Sequence, residues 1–201
     1  ISGVLLAADN STLTVTMSEA VYNTNGGSGS IEISDFALSI SGGVASINTT
    51  PSTISSSGNE YTLGLTISGT PNGSETLTVV PSSSSAIYDI AGNAASTTQS
   101  NNTVSLNDTS PPTLSNVSIV SNNTTNTLAK AGDEITLTFT ASETINEPVV
   151  TFQSGSSSIT DSSVTYTNTS GNTWTAKYTA NASDTDGSVS FSIAFTDGSN
   201  A

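Results

Sequence analysis

The chain has no cysteine, no histidine and no arginine, and its only basic side chains are Lys130 and Lys177. Without histidine or cysteine it cannot assemble a Ser-His-Asp or Cys-His catalytic set, nor an ordinary zinc, copper or haem site. Two cations stand against 16 Asp and Glu, for a formal net charge of −14. A nucleic acid would be repelled over most of such a surface, so no nucleic-acid partner is expected. The longest purely apolar run, Val4-Leu5-Leu6-Ala7-Ala8, falls far short of the roughly 20 residues that cross a bilayer, and no membrane insertion is expected. No leader-like segment opens the chain, which reads as a mature chain or a piece of a longer one. Aromatic residues make up only 5%. What is abundant is hydroxyl: Ser and Thr supply about a third of the residues. Hard oxygen donors of this kind favour one ligand class, a hard cation such as calcium.

Leu, Ile, Val and Phe amount to about a fifth of the chain, near the boundary of disorder. Patterning decides for a folded chain. Leu13, Val15 and Met17 alternate with threonines, as do Leu63, Leu65 and Ile67 with Thr62, Gly64 and Thr66. Ile31 and Ile33 alternate with Ser30, Glu32 and Ser34. Ile135, Leu137 and Phe139, then Trp174, Ala176 and Tyr178, then Val189, Phe191, Ile193 and Phe195 repeat the pattern. A period of two, with one apolar and one hydroxyl face, predicts half-buried antiparallel strands. Threonine is β-branched and suits the outer face of a pleated sheet.

Gly-containing turn signals separate these runs, at Asn25-Gly26-Gly27, Ser41-Gly42-Gly43, Ser57-Gly58-Asn59, Pro71-Asn72-Gly73, Ser154-Gly155, Ser170-Gly171-Asn172 and Asp186-Gly187. Short strands joined in this way predict β-sandwiches. A length of 201 residues suits two domains of about 100 residues. The boundary falls at Asn107-Asp108-Thr109-Ser110-Pro111-Pro112, because two prolines cannot sit in a central strand and stiffen an extended connection. The domains are therefore expected at 1–108 and 109–201. Both halves carry a hydroxyl-rich strand ending in Ser-Glu, at Ser18-Glu19 and Ser142-Glu143. Both later reach an aspartate, in Asp89-Ile90-Ala91-Gly92-Asn93 and Asp197-Gly198-Ser199-Asn200.

The Thr-Val-Thr-Met-Ser-Glu-Ala-Val segment ending at Val21 and the Asp89–Asn93 segment resemble the bacterial immunoglobulin-like repeats of S-layer proteins and long surface adhesins. Ala129-Lys130-Ala131-Gly132-Asp133, before a Thr-rich strand, is similar to the corresponding stretch of such repeats. The resemblance implies an all-β fold of two tandem immunoglobulin-like β-sandwich domains on an extracellular, cell-surface protein. Against that frame the second domain lacks its last strand, which Thr103-Val104-Ser105-Leu106 supplies in the first: either the sequence is a piece of a longer chain or another copy donates the strand.

Five acids are candidate calcium ligands. Glu19 and Asp89 lie at strand ends, Glu143 and Asp197 are their counterparts, and Asp108 sits in the linker. Strand ends of a sandwich gather at its poles, where carboxylates and carbonyls can ligate calcium and stiffen a joint. The competing reading is that these are solvated acids, with Asp89 and Asn93 capping a turn. Asp184-Thr185-Asp186-Gly187 resembles the opening of a calcium loop but lacks the later ligands, and reads as a hairpin Asp-Gly turn. No catalytic set is expected, since a carboxylate pair would also need aromatics to stack a sugar and most aromatics here are needed as core. The expected function is that of a structural or adhesive repeat, a stalk or spacer. Its partners would be neighbouring repeats or copies of the same protein and a cell-surface or carbohydrate target. The alternative is a subunit of an extracellular filament or layer assembled by strand complementation. A carbohydrate-binding module would need an exposed aromatic platform, for which Trp174 is the test.

Overall fold

The structure, a computed structural model, describes residues 1–198. Ser199 and Asn200 of the second aspartate segment lie outside the described residues. The chain divides into two compact units, the first Ile1–Ser110 and the second beginning at Pro111. Both are all-β and antiparallel, and their sheet arrangement is that of β-sandwiches.

The first unit comprises β1 (Gly3–Leu6), β2 (Thr12–Thr16), β3 (Phe36–Ser41), β4 (Ser46–Ile47), β5 (Ile54–Ser57), β6 (Glu60–Gly64), β7 (Ile67–Ser68), β8 (Thr76–Pro81) and β9 (Thr103–Ser105). One sheet has the order β1-β2-β6-β5, a second the order β3-β8-β9, and β4 pairs β7 in a short ribbon. Alternation explains the core. Leu13 and Val15 of β2, Leu63 of β6, Phe36 and Leu38 of β3, and Leu77 and Val79 of β8 all point inward and form one cluster with Leu106. Each such side chain contributes about 1.5–3 kcal/mol through burial. The intervening threonines face outward, where Thr14 and Thr62 meet through their hydroxyls at 3.4 Å across the β2–β6 pair.

Two expected strands are rearranged. Residues 33–35 form a 3-10 turn rather than extending a strand from Ile31. The cause is Asp35, whose carboxylate accepts the Glu32 N–H at 2.7 Å and so offers the backbone a local alternative to the ladder. Ile31 is buried all the same. The Leu63-Leu65-Ile67 run is cut after Gly64. A Cβ on Gly64 would lie 2.3 Å from the Thr53 hydroxyl oxygen, so the missing side chain lets the chain pass close and turn out of the sheet. Leu65 then donates to Ser11 O, and Ile67 pairs with Ile47.

The second unit comprises β10 (Leu114–Ser121), β11 (Glu134–Ala141), β12 (Val149–Ser154), β13 (Ser157–Ser158), β14 (Thr165–Ser170), β15 (Thr173–Thr179) and β16 (Val189–Ala194). Its sheets are β10-β11-β15-β14 and β13-β12-β16. Ile135, Leu137 and Phe139 of β11 and Trp174, Ala176 and Tyr178 of β15 pack on Val150 and Phe152 of β12. Phe152 and Tyr178 join the two sheets, with ring centroids 4.7 Å apart and planes tilted 43°, a favourable offset geometry. Strand for strand, β10-β11-β15-β14 repeats β1-β2-β6-β5, and the β12–β16 pair repeats the β3–β8 pair.

Asp186-Gly187 is not a hairpin turn, as the sequence suggests. It lies in the segment joining β15 to β16, which belong to different sheets, and a hairpin turn requires paired neighbours. The true tight hairpins are Gly58 between β5 and β6, Gly155-Ser156 between β12 and β13, and Gly171 between β14 and β15, all at positive φ.

Candidate functional site

The repeated Ser-Glu and Asp segments occupy matching places. In the first unit an isolated bridge joins Tyr22 to Tyr88, and one residue further the antiparallel register sets Val21 opposite Asp89. In the second unit the corresponding bridge joins Ile145 to Asp197. Thus the residue two places after Glu19, and likewise after Glu143, faces the aspartate of its own unit. The short sequence frame has a structural cause: each Glu and its Asp close the same end of their unit.

What each acid does there differs. Asp89 is drawn into a turn: Oδ1 accepts the Asn93 N–H at 2.8 Å and Oδ2 accepts Asn93 Nδ2 at 2.7 Å. These bonds from the Asn93 side chain and backbone hold the Asp89 carboxyl below its ordinary range. Glu19 is exposed on the bend after β2. In the second unit Glu143 and Asp197 are half-buried. Asn146 Nδ2 donates to Asp197 O at 2.9 Å, and Gly198 N donates to Thr144 O at 3.0 Å. Ser142, next to Glu143, exchanges bonds with Thr113: its N–H donates to Thr113 O and its hydroxyl accepts the Thr113 N–H. The chain therefore enters the second unit beside Glu143. Asp108, in the first unit, accepts the Ser110 N–H at 2.8 Å, an Asx turn beside the Pro71 loop, to whose carbonyl Thr109 N donates.

Two other readings are settled locally. Trp174 is buried, 9% exposed, inside β15, and so is not a platform for stacking a sugar. Asp184 serves as a loop clamp, accepting the Thr160 N–H and hydroxyl and the Asn181 N–H. Burial acts to raise its carboxyl pKa, but the bonds from Asn181 and Thr160 prevail and lower it.

The most constrained carboxylate is one the sequence reading did not single out. Glu75 is fully buried at the start of β8. Its Oε1 accepts the N–H groups of Val44 at 2.8 Å and Ala45 at 3.0 Å, and its Oε2 accepts that of Asn72 at 3.0 Å. Burial opposes its charge, yet these backbone donors outweigh it and hold the carboxyl below its ordinary value. Gly43, at φ 57°, is obligatory beside it, because a Cβ there would lie 2.2 Å from the carboxyl carbon. The signal was in the alternation: residue 75 has the same parity as Leu77 and Val79, and so points inward with them. Enclosed in this way, the carboxylate ties two loops together and is closed to an outside ligand.

Comparison with known proteins returns no match: no family model fits the chain, and no curated protein or solved structure matches it significantly.

Proposed function

We propose that the chain is a structural repeat module of an extracellular surface protein, a stalk or spacer of the kind found in bacterial immunoglobulin-like repeats. The observation that carries this reading is the recurrence of one strand order in two consecutive units, each with its own core. A spacer needs units that fold separately and can be strung in series. The hydroxyl-rich, anionic exterior supports the same reading, since it keeps such a module in solution without attracting anionic partners. The role requires no catalytic step. The test is solution behaviour. A spacer runs as a monomer in sedimentation at every concentration and unfolds under force in two separate steps. Fibres that survive dilution, or a single concerted rupture, would overturn it.

Calcium is the ion proposed for the strand-end acids, with Glu143 and Asp197 of the second unit first; Asp108, in the first unit, is tested separately. Asp89 is already engaged in its turn, and Glu19 stands in solvent. Millimolar calcium is expected to raise the melting temperature, and a chelator to reverse the rise. Glu143→Ala and Asp197→Ala should each abolish the shift. A shift that persists in both would remove these residues as ligands.

A further inference from the structure

Asn-Gly occurs twice in the chain, at Asn25-Gly26 and Asn72-Gly73, both in the first unit. At such a step the backbone nitrogen of the glycine can attack the side-chain amide of the asparagine, because no Cβ on the glycine shields the approach. The two steps have the same chemistry but not the same surroundings. Asn72 is held twice: its N–H donates to Glu75 Oε2 at 3.0 Å, and its Oδ1 accepts the Ser74 N–H at 3.1 Å. Its loop is tied down again at Pro71 O, which accepts from Thr109 N and from the Ser110 hydroxyl. Asn25 is exposed, and among the described residues no hydrogen bond reaches its side chain or the Gly26 N–H. Gly26, at φ 101°, has open space where a side chain would stand.

We propose that Asn25 is a site of spontaneous modification, which releases the loop around it from the Asp89–Asn93 turn. Gly26 N gives its proton to base and bonds to Asn25 Cγ. The Cγ–Nδ2 bond breaks, and that nitrogen leaves as ammonia. Water then opens the five-membered imide. Opening at Cγ leaves aspartate; opening at the main-chain carbonyl of residue 25 leaves isoaspartate, with the backbone running through the former side chain. The net reaction consumes one water and releases one ammonia, and needs no other reactant. Its place in the fold gives it a consequence. Thr24 N donates to Ser28 O and closes a small loop over residues 24–28. This loop rests on the Asp89–Asn93 turn: a Cβ on Gly27 would lie 2.8 Å from Ile90 Cγ1, and one on Gly92 would collide with Asn25 Oδ1. Isoaspartate lengthens the main chain of the closed loop by a methylene, and either product sets a new negative charge against a turn built on Asp89. The contact loosens, and the Tyr22–Tyr88 bridge behind it opens more often. This holds whether or not the chain is a spacer.

The experiment ages the 201-residue chain in mildly alkaline buffer and follows both steps by peptide mapping with isoaspartate detection. Asn25 should convert about tenfold or more faster than Asn72, whose reaction requires two hydrogen bonds to break first. In denaturing urea, where the surroundings no longer differ, the two rates should converge. Asn25→Gln should remove the fast conversion and leave that of Asn72 unchanged. The amides of Tyr22 and Tyr88 should exchange faster with solvent in the aged chain, and not in the aged Asn25→Gln chain. Equal rates at the two steps in the folded chain, a difference that persists in urea, or an aged chain whose Tyr22 and Tyr88 amides keep their protection would overturn the proposal.

Discussion

Strands β8 and β16 hold the same place in their units, with the same partner on one side, and yet one is sealed and the other is not. Leu77 and Val79 are fully buried because β9 covers them, while Val189 and Phe191 are partly exposed at the corresponding positions. Side-chain chemistry does not account for this, since all four are large and apolar. Burial in a sandwich is a property of the neighbouring strand as much as of the residue: a sheet edge stays wet until something pairs with it. Two residues before Leu77 and Val189 the units diverge again. Glu75 in the first unit corresponds to Gly187 in the second. The first fills the site with a carboxylate bonded to three backbone N–H groups. The second fills it with a glycine–glycine contact, where a Cβ on Gly187 would come within 2.7 Å of Gly155 Cα.

The sharpest way to break the comparison is to place the same charge at both edge positions. Leu77→Asp buries an unpaired carboxylate under β9 and should cost the first unit about 4 kcal/mol or more, enough to unfold a marginal domain. Val189→Asp meets water at its partly exposed position and should cost the second unit only about 1–2 kcal/mol. Urea denaturation followed by residue-resolved spectra reads the two units separately. Equal costs would mean that the β16 edge is covered in solution.

Next in size is the carboxylate clamp. Glu75→Ala leaves three N–H donors, that of Ala45 buried and those of Val44 and Asn72 partly so, without their acceptor and should cost the first unit about 2 kcal/mol, with Glu75→Gln costing roughly half as much because a carbonyl oxygen remains. Acid should act in the same sense. The folded carboxyl is held below its ordinary value, so the unfolded state takes up the proton first. The stabilisation is complete above the unfolded value of about 4.3 and is lost as pH falls through the lower, folded one. Asp9 and Asp89 in the first unit, and Asp133, Asp161 and Asp184 in the second, are lowered as well, so both units weaken in acid. The Glu75→Gln chain should show a shallower acid slope in its first unit alone. An unchanged slope would assign the acid response to the surface aspartates.

Much of this architecture is legible in the alternation of residues. The inward sets of β2, β6, β11 and β15 can be read directly from Leu13-Val15, Tyr61-Leu63, Ile135-Leu137-Phe139 and Trp174-Ala176-Tyr178. The pattern fails where a local bond or a close approach outweighs it, as Asp35 does at Ile33 and the Thr53 contact does at Gly64. The candidate acids could be found as residues, but their duties could not. Asp89 and Asp184 are equally short carboxylates beside glycine-containing loops, and only the donors around them show a turn cap in one and a loop clamp in the other. Glu75 was hidden because a charge is ordinarily assigned to the surface, although its parity placed it inside.

The smallest expected effect separates the units by charge. Each carries eight acids, but both lysines lie in the second, where Lys177 Nζ meets Glu134 Oε1 at 2.8 Å on the face of the β11–β15 pair. The outer face of the first unit has threonine pairs and no cation. The Lys177 and Glu134 side chains are 40% and 45% exposed, so solvent screening limits the pair, and Lys177→Met should cost only about 0.5 kcal/mol. Salt should then stabilise the first unit more than the second. At about 1 M, where screening reaches only about 3 Å, the all-acidic first unit gains from reduced self-repulsion while the second also loses its ion pair. In the Lys177→Met chain the second unit should follow the first and gain stability with salt. If both units of the unmodified chain rise equally, the pair contributes nothing to the fold.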